Sequence, residues 1–142
     1  MILPDVNVLV YAYNDQAPGH QRYKAWLEDL IHGDESYGTA DIVLSGFLRI
    51  VTNPRVFNPP SSVDGALAFA DRVRHAPNSV PITPGLRHWS IFTGLCRSSS
   101  VRGNLVADAY LAALAIESGS EWITMDGDFA RFAGLRWRRP FE

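Results

Sequence analysis

The period of the apolar residues switches within the first turn of this chain, and that switch constrains the fold more than any other feature. Ile2 to Val6 is an apolar run of strand length, after which Val6, Leu9, Val10 and Tyr13 fall at i, i+3, i+4 and i+7. The first pattern suits a buried strand and the second a helix that hides one face. Asn7 stands where that helix needs an N-cap, which leaves Asp5 at the carboxyl end of the strand, facing a helix start.

The same alternation continues along the chain. Tyr23, Trp26, Leu27, Leu30 and Ile31 make an amphipathic stripe that ends at His32 and Gly33. A further helix is expected from Asp41 to Val51, burying Val43, Leu44, Phe47, Leu48 and Val51, with Asn53 and Pro54 as its stop. After the proline-rich loop 53–62, a helix starting at Ser61, with Asp64 completing a shortened capping box, is expected to bury Val63, Leu67, Ala70 and Val73. Ser79 to Thr83 reads as a strand, and Leu86, Trp89, Phe92 and Leu95 supply the next helical stripe. From about Leu105 to Ser118 a helix buries Leu111, Ala112, Leu114 and Ala115, and Gly119 caps it. Glu121 to Asp126 is then a strand, with a last edge strand between Leu135 and Arg138. Strands separated by helices require crossover connections, so the expected fold class is α/β, a mostly parallel central sheet of four to five strands sandwiched by helices. No repeat or linker interrupts residues 1–142, and 46% apolar residues suffice for one core, so a single domain is expected.

Composition narrows the setting. A lone cysteine, Cys96, cannot pair within the chain; among Trp89, Phe92 and Leu95 it reads as a buried thiol in a reducing compartment. There is no apolar run long enough to span a membrane, and Asp5 and Asn7 break the opening run that a signal peptide would need, so a cytoplasmic protein is expected. A net charge of −2 does not by itself predict a nucleic-acid partner. The cations are arginines except for Lys24, however, and a guanidinium grips phosphate through paired hydrogen bonds. The densest group, Arg136, Arg138 and Arg139 around Trp137, reads either as a phosphate contact or as a solvated tail.

The chemistry points to aspartates. In open α/β sheets, sites form beyond the carboxyl ends of the strands, where Asp5 and Asp126 both stand. Asp108 sits one turn into its helix with Leu111, Ala112 and Ala115 at i+3, i+4 and i+7, a position that asks for a cation, a hydrogen-bonding partner or the helix dipole. Asp128, in the run Asp126, Gly127, Asp128, Phe129, reads equally as a ligand or as the N-cap of a short turn. Carboxylates converging without histidine or cysteine make an oxygen-only site, which suits Mg2+ or Mn2+ rather than zinc; paired ions of that kind support phosphodiester hydrolysis. The histidines His20, His32, His75 and His88 are far apart in sequence and read as surface or core residues.

The stretches ILPDVNVLVYAY, FLRIVTNPRVF and RGNLVADAYLAALAIESGSEWITMDGDFARFAGLRWRRP together resemble the VapC toxins of bacterial toxin–antitoxin pairs, which are PIN-domain ribonucleases. The resemblance covers essentially the whole chain. It implies a PIN fold, Mg2+-dependent endoribonuclease activity in which Mn2+ can substitute, an RNA substrate, a homodimer, and inhibition by a cognate VapB antitoxin. It also implies roles. Asp5, Asp108 and Asp126 correspond to acidic catalytic and metal-binding residues, with Asp128 as an additional metal ligand. Asn7 and Thr124 correspond to the polar residues that steady them, and Arg49, Arg55, Arg102, Arg131 and Arg138 become candidate RNA contacts. One departure stands out: the second acidic position of the family falls on Gly46, where Ser45 or a water would have to fill the gap. That gap leaves a second reading open, a catalytically impaired module that binds RNA and antitoxin. An aspartyl phosphatase, suggested by Asp-x-Asn after a first strand, needs an aspartate where Asn7 stands and a lysine that only Lys24 could supply.

Overall fold

A computed structural model of the chain describes residues 1–141. Its strands are short: β1 (Ile2–Pro4), β2 (Tyr37–Thr39), β3 (Ser79–Pro81), β4 (Glu121–Ile123) and β5 (Trp137–Arg138). All neighbours pair in parallel, in the order β3-β2-β1-β4-β5. Six helices connect them: α1 (Val6–Tyr13), α2 (His20–His32), α3 (Asp41–Val51), α4 (Val63–His75), α5 (His88–Ser98) and α6 (Asn104–Ser118).

The strand order dictates where a site can form. From β1 the chain moves outward to β2 and β3 through α1 to α4, then returns across the sheet through α5 and α6 to β4. Parallel crossovers are right-handed, so reversing the direction of travel puts α5 and α6 on the opposite face from α1 to α4. The sheet is covered on both sides, and the direction changes between β1 and β4. A crevice opens at such a switch point beyond the carboxyl ends of the two strands.

Side-chain size sets how closely the layers approach. Ala109, Ala112, Ala113 and Ala115 of α6 are all buried, which lets that helix lie close against the body; Gly119 closes it in the left-handed conformation (φ 67°) that favours glycine. On the other face, Phe47 of α3 is fully buried between Tyr13 and Phe69. Gly38 at the centre of β2 is required by packing, because a Cβ there would come within 2.9 Å of Ile82 Cγ1 and 3.3 Å of Leu3 Cδ1.

The expected fold class holds, with local differences. The first strand ends at Pro4, and Asp5 rather than Asn7 is the N-cap of α1, its side chain accepting from Val6 N–H. β2 goes unread in the sequence, and the strand expected to reach Asp126 stops at Ile123. Ser62, not Ser61, caps α4 by accepting from Gly65 N–H. Val63 and Leu67 are exposed because α4 packs through its small residues Ala66 and Ala70 together with Val73. Leu86 and Trp89 (69% exposed) lie outside the core, since α5 begins only at His88 and buries that histidine and Leu95 instead. Cys96 is half-buried.

Candidate active site

At the switch point, hydrogen bonds tie the end of β1 to the end of β4. Asp5 N–H donates to Ile123 O at 2.8 Å, extending the pairing of the two strands by one residue. The fully buried Thr124 hydroxyl donates to Asp5 Oδ2 at 2.6 Å while its oxygen accepts from Asp126 N–H (3.0 Å) and Asn7 Nδ2 (3.1 Å). Asn7 also accepts from Met125 N–H at 3.2 Å through Oδ1. Asn7 is thus a brace between two strand ends from the first turn of α1, and Thr124 is the joint between two acids.

The aspartates differ in surroundings. Asp5 is 6% exposed, and its carboxyl is pushed up from 3.8 to about 6, first by burial, against the pull of Thr124 and Val6 N–H, and further by the charges of Asp108 and Asp126. Asp108, half-buried on α6, is raised by burial and then by Asp126 and Asp128, and is lowered by Arg131. Asp5, Asp108 and Asp126 therefore stand within electrostatic reach of one another at the switch point. Asp126 caps the 3-10 turn Gly127–Arg131 by accepting from Asp128 N–H at 2.9 Å through Oδ1. This settles which aspartate is the N-cap: Asp126 holds that role, and Asp128 is an exposed first-turn residue facing the field of Asp108.

A hard divalent cation fits this donor set in its chemistry, because the facing groups are oxygen-bearing, anionic and partly desolvated. Among the described residues, no three histidine, cysteine, aspartate or glutamate side chains are gathered into an ion-sized cage as they stand. The histidines lie elsewhere. His32 pairs with Glu28 (3.3 Å) and His75 with Asp71 (3.8 Å) beside a hollow of about 820 Å³, which precedes β2 and β3 and so opens at the amino-terminal edge of the sheet. His88 is buried with Nε2 3.0 Å from Tyr110 O, and His20 Nδ1 lies 2.8 Å from Tyr11 O.

Gly46 of α3 packs on α1, where a Cβ would meet Cγ2 of Val6, the residue after Asp5, at 3.0 Å. Ser45 is turned away from that position; it is exposed and lines a hollow with Leu48, Leu67 and Arg74 between α3 and α4. Among the arginines, Arg131 Nε donates to Asp128 O (3.1 Å), which holds its charge near Asp108. Arg138 donates to Glu121 Oε1 (3.0 Å) and to the carbonyls of Arg139 and Pro140, which ties it to β5 and the residues after it. Arg49 and Arg102 are exposed, and their guanidinium groups are free of hydrogen bonds and ion pairs among the described residues.

The PIN domain model matches residues 2–135. Ribonuclease VapC43 of Mycobacterium tuberculosis is 44% identical over 142 residues, covering 100% of this chain and 97% of that protein. Ribonuclease VapC25 of the same organism is 38% identical over 140 residues, 99% of each. Among solved structures, VapBC2 from Rickettsia felis bound to a DNA fragment from its promoter superposes with a TM-score of 0.70 at 19% identity, covering 98% of each chain. The chain belongs to the PIN-domain family and, within it, to the VapC ribonucleases.

Proposed function

We propose that this chain is the toxin of a VapBC pair, a Mg2+-dependent endoribonuclease in which Mn2+ can substitute. The observation that carries the reading is the buried Asp5 carboxyl, fixed by Thr124 and Val6 N–H and repelled by Asp108 and Asp126. Ionising these carboxylates together is unfavourable where they are partly desolvated, and a bound cation would offset that cost. The ribonuclease names of full-length relatives support RNA as the substrate.

Asp5, Asp108 and Asp126 would hold the ion, with Asp128 at the rim. Bound there, the ion would supply the positive charge that lets the carboxylates ionise together, and Lewis acidity toward a water and the scissile phosphate. The chain's own residues supply position. Thr124 and Asn7 fix Asp5 on one strand end and Asp126 on the other, while the N-cap bond to Asp128 N–H occupies one oxygen of Asp126 and orients the second. Arg131, held beside Asp108, and the exposed Arg49 and Arg102 would take RNA phosphates by paired hydrogen bonds. A glycine at 46 leaves the family's second acidic position without a carboxylate, so fewer negative ligands would face the ion and a second ion would bind more weakly. A VapB-type antitoxin is the expected partner, as the solved neighbour is itself a VapBC assembly; a homodimer in the cytoplasm completes the proposal.

The test is chelation and add-back on one sample. Purified chain is expected to cut RNA in Mg2+, to stop in excess EDTA, and to resume with Mg2+ or Mn2+. Persistent cleavage in the chelator would refute the metal mechanism, and metal and RNA binding without cleavage would favour the impaired module.

A further inference from the structure

The family match ends at Leu135, yet the chain beyond it is tied to the acidic turn. Arg136 donates to Gly119 O (2.8 Å), Trp137–Arg138 forms the edge strand β5, and Pro140 is buried. These contacts deliver Phe141 to α2, where its ring lies 4.9 Å from that of Tyr23 and under the Arg22 guanidinium, 4.0 Å from its carbon. Tyr23, itself buried and packed on Tyr11 at 5.0 Å, donates its hydroxyl to Met125 Sδ at 2.7 Å. Met125 is the residue between Thr124 and Asp126. Its backbone is held by Asn7, and its side chain by Tyr23.

A methionine has three rotatable bonds and holds no position by itself. Asp126 adds only the N-cap of a short 3-10 turn, a form with weaker hydrogen-bond geometry than an α-helix. The acidic turn therefore depends on what immobilises Met125. Tyr23 does so, and the ring of Phe141 with the cation above it keeps Tyr23 in place. A site of this kind works only when its side chains are held to within about half an ångström.

We propose that Phe141, acting through Tyr23 and Met125, is a positioning residue that clasps the Asp126 turn onto the crevice. Its catalytic consequence rests on the nuclease reading, whereas its structural consequence does not. In the full chain, Phe141→Ala is expected to lower kcat about tenfold with KM changed by less than about twofold. Amide exchange at Met125, Asp126 and Asp128 is expected to quicken by about tenfold, while amides of β1 and α6 keep their rates. Tyr23→Phe, which removes the hydroxyl alone, is expected to quicken exchange at the same amides, and Phe141→Trp to restore both readouts. Unchanged exchange at the turn in Phe141→Ala would overturn the clasp, as would equal acceleration in β1 and α6. If the parent chain cuts no RNA, the nuclease reading falls and the exchange pattern alone decides the clasp.

Discussion

Asp5→Asn is expected to lower RNA cleavage by roughly a hundredfold to ten-thousandfold and to make the metal-free protein more stable at about pH 8. The two effects share one cause. Burial, with the added charges of Asp108 and Asp126, raises the folded-state carboxyl to about 6 from an ordinary 3.8. A raised acid contributes stability that is fully present below the unfolded value and is lost as pH climbs through the folded one. Between 3.8 and about 6 the parent therefore loses stability that the amide never loses. Above that window the difference is on the order of 2–3 kcal/mol, or roughly 5–10 °C in melting temperature for a domain of this size. Asparagine keeps one oxygen, which can accept from Val6 N–H, while its amide nitrogen replaces the oxygen that accepts from Thr124, so the lost hydrogen bond offsets part of that gain. Calorimetry across this range, beside a cleavage assay, reads both effects. A variant less stable than its parent at about pH 8, or one that still cuts RNA at parental rate, would contradict the assignment.

Phe47→Ala is expected to cost about 3–5 kcal/mol, a large share of the 5–15 kcal/mol that typically holds a domain folded. Phe47 is fully buried, stacked on Phe69 at 4.9 Å and edge-on to Tyr13 at 5.3 Å. Truncation opens a cavity where α1, α3 and α4 meet, and α4 offers only Ala66, Ala70 and Val73 as buried residues to close it. Urea unfolding followed by tryptophan fluorescence measures the loss. A cost under about 1 kcal/mol would mean that α4 collapses onto α3 freely and that the aromatic cluster is not what holds this face.

Most of the fold was legible because helical periods are long and repeat, as in α2, α3 and α6, whose stripes span several turns. What the sequence concealed was short or non-local. β2 is three residues around Gly38, a glycine demanded by the approach of Leu3 and Ile82, and such crowding leaves no periodic trace. Leu86 and Trp89 continue an apolar spacing that the turn before α5 then breaks; there Glu117 accepts from Gly85 N–H (2.7 Å) and Arg87 N–H (2.9 Å). Asp5 was readable as a strand-end acid, yet the neighbouring Asn7 competed for the cap, and only the arrival of β4 shows that Asn7 is the cross-brace. The role of Thr124 followed from resemblance, since its three hydrogen-bonding partners come from both strand ends. Nothing local marks Phe141, whose contact with Tyr23 spans more than a hundred residues of sequence.

Three aspartates share one electrostatic field, and a divalent ion is expected to relieve it. Carbon-13 NMR titration of the aspartate carboxyls tests this most directly. Metal-free protein is predicted to show the Asp5 carboxyl titrating at about 6, Asp108→Asn to lower that midpoint, and saturating Mg2+ to drive it below its ordinary 3.8. An Asp5 midpoint near 3.8, indifferent to both the substitution and the ion, would contradict the account.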